Sequence, residues 1–80
     1  MTIYDLVYVM DNMNFNILVE NDGQLLDFYG GIRFEGEVSD FKMTDLFDNI
    51  QDEEVTDLYT LADGRMVICY INEEEENYGN

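Results

Sequence analysis

The charge imbalance constrains this chain before any pattern is considered. Nineteen aspartates and glutamates face three basic residues, Arg33, Lys42 and Arg65, with no histidine, giving a formal net charge of −16 over 80 residues. Chains this unbalanced commonly stay disordered, because they cannot bury enough apolar surface to offset conformational entropy. Here 46% of the residues are hydrophobic and 14% aromatic, which is enough for a core. The expectation is a single folded domain over residues 1–72. An acidic, flexible tail over 73–80 follows it, where Glu73 to Glu76 run consecutively and only Tyr78 is apolar. A core of this size supplies only about 3 to 5 kcal/mol, so self-repulsion on this scale is expected to serve a purpose.

The hydrophobic pattern divides the domain into alternating helical and extended stretches. Thr2, followed three positions later by Asp5, reads as a helix N-cap, and Ile3, Leu6, Val7 and Met10 recur at i, i+3, i+4, i+7. Phe15, Ile17 and Val19 then alternate with Asn14, Asn16 and Glu20 as a half-buried strand, and Asn21-Asp22-Gly23 supplies a hairpin turn into a second strand ending at Tyr29. Gly30-Gly31 breaks that strand, and Ile32, Phe34 and Val38 continue as a third. Ser39 or Asp40 is placed to cap a second helix carrying Met43, Leu46, Phe47 and Ile50, ended by Asp52, Glu53 and Glu54. Val55 to Leu61, the Asp63-Gly64 turn and Met66 to Ile71 complete a hairpin. The resulting order is αβββαββ: an α+β fold with a small antiparallel sheet of four to five strands, covered on one face by two short helices. The other face would carry Asn14, Asn16, Glu20, Asp27, Glu35, Asp57 and several tyrosines, an open acidic surface.

The side-chain inventory argues against enzymatic chemistry. Nucleophilic catalysis needs an activated side chain and a neighbouring base, yet the chain has no histidine, one serine (Ser39), one lysine and one cysteine. Cys69 sits in the last strand among carboxylates and is expected to be a buried, unreactive thiol. A lone cysteine excludes an internal disulfide and suits a reducing compartment. No apolar run approaches the roughly 18 residues a membrane span requires, and the N-terminus carries Asp5 rather than positive charge. The expected location is therefore the cytoplasm. Asp48, Asp52, Glu53, Glu54 and Asp57 are dense enough to raise the question of calcium. Neither Asp22-Gly23 nor Asp63-Gly64 has EF-hand framing, however, so no metal and no cofactor are expected.

What remains is recognition by charge. A globule of this length is about 30 Å across, and duplex DNA carries roughly 18 charges over such a span, close to the 16 here. The candidate partner-binding residues are Glu35, Glu37, Asp40, Asp45, Asp48, Asp52, Glu53, Glu54 and Asp57. Asp45 and Asp48, three apart, would share the outer face of the second helix. Direct binding of nucleic acid or of an anionic membrane is disfavoured by the same charge. Among Tyr4, Tyr8, Tyr29, Tyr59, Tyr70 and Tyr78, an exposed ring beside a carboxylate could anchor an interface, while half or more are expected to pack in the core or at its rim.

The segments EVTDLYTLADGRMVICYI (residues 54–71), TIYDLVYVMDN and IRFEGEVSDF resemble small acidic proteins encoded by phages and mobile elements of low-GC Gram-positive bacteria. In size and acidity the chain is also similar to anti-CRISPR proteins and other phage-encoded DNA mimics. That resemblance implies a non-enzymatic inhibitor of a host defence system whose carboxylates block the basic groove of a nucleic-acid-binding effector, a CRISPR nuclease foremost. The alternative is an adaptor or structural protein acting through strand addition or homodimerisation.

Overall fold

The computed structural model describes residues 1–13, 15–23 and 31–73. Helix α1 (Ile3–Met10) begins with a complete capping box: the Thr2 hydroxyl accepts the Asp5 N–H at 3.2 Å, and the Asp5 carboxylate accepts the Thr2 N–H at 3.3 Å. Its apolar stripe of Ile3, Leu6, Val7 and Met10 is buried throughout. A single 3-10 turn, Asp11–Met13, leads out of it. The strands are β1 (Asn16–Asn21) and β2 (Ile32–Glu37). Next come helices α2 (Val38–Phe41) and α3 (Asp45–Ile50), and then strands β3 (Asp57–Thr60) and β4 (Met66–Tyr70). The second strand read before Tyr29, with Asp27, lies outside the described residues, as does the tail beyond residue 73.

The α+β class and the general order of elements hold, with one change to the sheet. Its four strands run in the order β2-β1-β4-β3, and β1 pairs with β4 in parallel, so the sheet is mixed rather than wholly antiparallel. The reason lies in the connection. Between β1 and β4 the chain passes through β2, two helices and β3, a route long enough to return β4 alongside β1 in the same direction, as parallel pairing requires. The outer pairs, β1 with β2 and β3 with β4, are antiparallel as expected. Around Gly64, at φ 92°, the Leu61 N–H reaches the Arg65 carbonyl at 2.8 Å and closes the β3–β4 hairpin.

The helical region after β2 also differs from a single helix capped at Ser39 or Asp40. Val38 is helical and buried instead of extending the strand. The Thr44 hydroxyl donates to the Phe41 carbonyl at 2.7 Å and accepts the Phe47 N–H at 3.1 Å, so one side chain ends the first helical turn and caps the next. This restart changes the phase. Leu46, Phe47 and Ile50 face the core, whereas Met43 falls in the connecting turn and is 86% exposed.

All three helices supply one side of a core made with Ile17, Val19, Ile68 and Tyr70 of the central strands. Phe41 is wholly buried at its centre, with Phe47 edge-on at 5.2 Å and Phe34 tilted against it at 5.1 Å. The opposite face of the sheet holds a second, smaller cluster of Leu18, Val67 and Cys69, with Leu61 packed on it. Among the described residues no helix is long and apolar enough to cross a membrane.

Candidate partner-binding surface

The register fixes which carboxylates share the face of the sheet that no helix covers among the described residues. Glu35 pairs with Leu18, Glu37 with Asn16, and Asp57 and Glu20 both pair with Cys69. Because side chains alternate along a strand, Asn16, Glu20, Glu35, Glu37 and Asp57 lie on the side of Leu18, Val67 and Cys69. The acidic face read from the sequence is therefore present for Asn16, Glu20, Glu35 and Asp57, arranged around a buried apolar centre. Asn14 and Asp27 lie outside the described residues.

The nine candidate residues are divided by the fold. Asp40 lies in α2, Asp45 and Asp48 occupy the first turn of α3, and Asp52 is in the turn beyond it, all four exposed on the helical side. Asp45 and Asp48 do share the outer face of α3, opposite buried Leu46, Phe47 and Ile50. Their charge also favours the helix N-terminus that they flank. Glu35, Glu37 and Asp57 belong to the sheet side. The remaining two serve the fold: Glu54 pairs with the Met1 ammonium at 2.9 Å, and Glu53 accepts from the Asn72 side chain at 2.9 Å while its carbonyl accepts the Ile3 N–H.

Neutralisation is uneven. The Arg65 guanidinium reaches Glu35 at 2.6 Å and Asp63 at 2.9 Å, and Lys42 meets Asp11 at 2.8 Å. Both cations are thereby committed to carboxylates of the chain itself. Among the described residues Asp40, Asp45, Asp48 and Asp52 take part in no ion pair. The helical side thus carries four carboxylates without an ion pair, and on the sheet side Glu37 and Asp57 are likewise without one among the described residues.

Two constellations escaped the sequence reading. The first is on α1, where Tyr4 and Tyr8 stand one turn apart with ring centroids at 4.5 Å, and the Lys42 ammonium sits 4.3 Å above the Tyr8 ring. The i, i+4 spacing of the two tyrosines, off the buried stripe, was the available signal. The second joins Glu20, Asp22 and Cys69, whose ligand-type atoms lie within 4.8 Å of one another. Burial, and then a hydrogen bond to Asp22, raise the Glu20 carboxyl above its ordinary 4.5. Cys69 is buried, and its thiol is pushed up to about 12, first by burial and then by Asp22 and Glu20. The buried thiol among carboxylates expected from the sequence is what the structure contains.

Of the tyrosines, Tyr70 is fully buried, Tyr4, Tyr8 and Tyr59 are between 44% and 47% exposed, and Tyr29 and Tyr78 lie outside the described residues. No family model, no curated protein and no solved structure matches the chain.

Proposed function

We propose that this protein is a non-enzymatic inhibitor of the kind phages direct against host defence, presenting carboxylates in place of phosphates to the basic groove of a nucleic-acid-binding effector such as a CRISPR nuclease. The observation that carries this reading is the unpaired carboxylate set on the helical side, Asp40, Asp45, Asp48 and Asp52, in a chain whose Lys42 and Arg65 are already engaged internally. Dimensions agree with it. The molecule measures 33 × 26 × 24 Å, and duplex DNA carries roughly 19 charges along a 33 Å stretch, against 16 here. Such a surface would be drawn into a basic groove by the same long-range field that steers nucleic acid there.

The test is capture from host lysate with the tagged protein at low and at high salt, with duplex DNA as competitor. A basic effector released by salt or by DNA is the expected result. Changing Asp40, Asp45, Asp48 and Asp52 together to asparagine should abolish its retention while the circular dichroism spectrum is preserved. Retention that ignores both salt and the quadruple change would overturn the proposal.

One observation favours a second reading as an adaptor that acts by strand addition. Strand β3 is an edge of the sheet and all four of its residues are exposed. Assembly through that edge would persist in high salt, because main-chain hydrogen bonds and apolar contacts would carry it.

A further inference from the structure

We infer that the outward face of α1, centred on Tyr4 and Tyr8, is a docking site for arginine side chains of a basic protein partner. This rests on the function proposed above and gives its contact a place and a chemistry. The two rings are 4.5 Å apart, tilted by 32°, and nearly half exposed. They are also held in place from beneath, since Tyr4 stacks at 6.5 Å on Phe47, itself buried in the core. A pair of aromatic faces fixed in this way loses little side-chain freedom when something binds to it.

The surface already demonstrates its preference. The chain's own Lys42 ammonium rests 4.3 Å above the Tyr8 ring and 2.8 Å from the Asp11 carboxylate, an aromatic face and an anion converging on one cation. At the other end of the pair the Tyr4 N–H donates to the Gln51 carbonyl at 2.9 Å, and Asp48, with no ion pair of its own among the described residues, lies one turn before Gln51. Asp11 thus stands beside the Tyr8 ring, and the backbone bond ties the Tyr4 end of α1 to the end of α3. Met43, 86% exposed in the neighbouring turn, adds adaptable apolar surface.

Charge selects the occupant. A second copy would bring another net charge of −16 onto an acidic face, and nucleic acid and anionic lipid are repelled for the same reason. Between the two basic side chains, arginine fits better. Its planar, weakly hydrated guanidinium stacks on an aromatic ring and can bond a carboxylate bidentately, which an ammonium cannot do.

The experiment compares nona-arginine with nona-lysine as probes, titrated into the full-length protein at physiological salt. The arginine peptide should bind about fivefold more tightly, a margin expected from exposed cation–π contacts on two rings. Tyr4→Leu with Tyr8→Leu should erase that margin, weakening nona-arginine binding more than nona-lysine binding. Tyr4→Phe with Tyr8→Phe should preserve it. In the unaltered protein, ring resonances of Tyr4 and Tyr8 should shift with nona-arginine, a readout independent of any variant. Equal affinity for the two peptides, a margin that survives the leucine changes, or unshifted tyrosine rings would each overturn the inference. Salt-sensitive, DNA-competed capture of a basic effector alongside any of those results would leave the proposed function standing with its contact elsewhere. Loss of that capture would remove the function as well.

Discussion

Asn21 and Asn72 hold each other across the C-terminal end of the sheet's parallel pair. The Asn21 side chain donates to the Asn72 carbonyl at 2.9 Å and accepts the Asn72 N–H at 3.1 Å, while the same oxygen accepts the Gly23 N–H at 3.0 Å. Asn21 is 3% exposed at the end of β1, where its backbone pairs with Tyr70. The amide thus adds a rung to a ladder that the main chain has already left. Asn21→Ala would remove a side-chain partner from one carbonyl and two N–H groups, and a lost hydrogen bond at a partly buried group costs about 1 to 3 kcal/mol before water relieves some of it. We expect a loss of about 2 to 3 kcal/mol in urea denaturation. A change within about 0.5 kcal/mol, the ordinary range for surface substitutions, would show that water replaces the amide without penalty.

The burial of Cys69 leads to a second expectation. Its thiol lies beneath the helix-free face with Glu20 and Asp22 close by, and is pushed up to about 12. The thiolate is the reactive form. Iodoacetamide at mildly alkaline pH should therefore leave the folded protein unmodified and alkylate it fully once denatured, as read by mass spectrometry. Rapid labelling without denaturant would mean that this face opens far more often than its packing implies.

The parts of this fold written in local pattern were legible. Thr2, Asp5 and the α1 stripe behave as read because a capping box and a helical repeat involve only neighbours in sequence. The Asp63-Gly64 hairpin is legible for the same reason. What was not legible depends on distant partners. Asn21 was read as a turn residue from its neighbours Asp22 and Gly23, and nothing local announces Asn72 as its partner. The parallel β1–β4 pairing is set by where the chain returns, not by the composition of either strand. Thr44 lay inside a continuous apolar repeat, so its capping role was hidden until Met43 proved to point outward. The candidate carboxylates were found as charges, but their division between the helical and sheet sides, and the structural employment of Glu53 and Glu54, came only from tertiary contacts.

The Glu20–Asp22 pair makes a pH-dependent contribution whose sign can be worked out. Burial and the hydrogen bond to Asp22 raise the folded-state Glu20 carboxyl above 4.5, so the fold favours its protonated form. The stabilisation is complete below the unfolded value and is lost as pH rises through the raised folded value. Glutamine at position 20 cannot ionise and should lack this term. Urea midpoints of the unaltered protein and of Glu20→Gln should therefore run together near the acidic end, with the unaltered protein falling behind as pH rises from about 4.5 towards neutrality. Subtracting one curve from the other cancels the background repulsion common to both. Parallel curves over that range would mean that the fold does not raise the Glu20 carboxyl.

Strand β3 raises the question of what would keep an exposed edge from recruiting further strands. Among the described residues it borders only β4, and Leu58 and Tyr59 leave 41% and 44% of their surface in solvent. The Asp57 carboxylate accepts the Leu58 N–H at 2.9 Å, occupying a main-chain donor and placing a charge on the edge strand. Charged side chains on an edge are a recognised defence against pairing with another chain. Asp57→Val would remove both the charge and the competing acceptor and install a β-branched side chain suited to a strand. In high salt, where repulsion between the remaining charges is screened to a few ångströms, this variant should self-associate with concentration in sedimentation velocity while the unaltered protein stays monomeric. Asp57→Asn retains an acceptor oxygen and should fall between them. If the valine variant stays monomeric at every concentration, Asp57 does not guard the edge, and its carboxylate is better assigned to the charge offered to a partner from the sheet side.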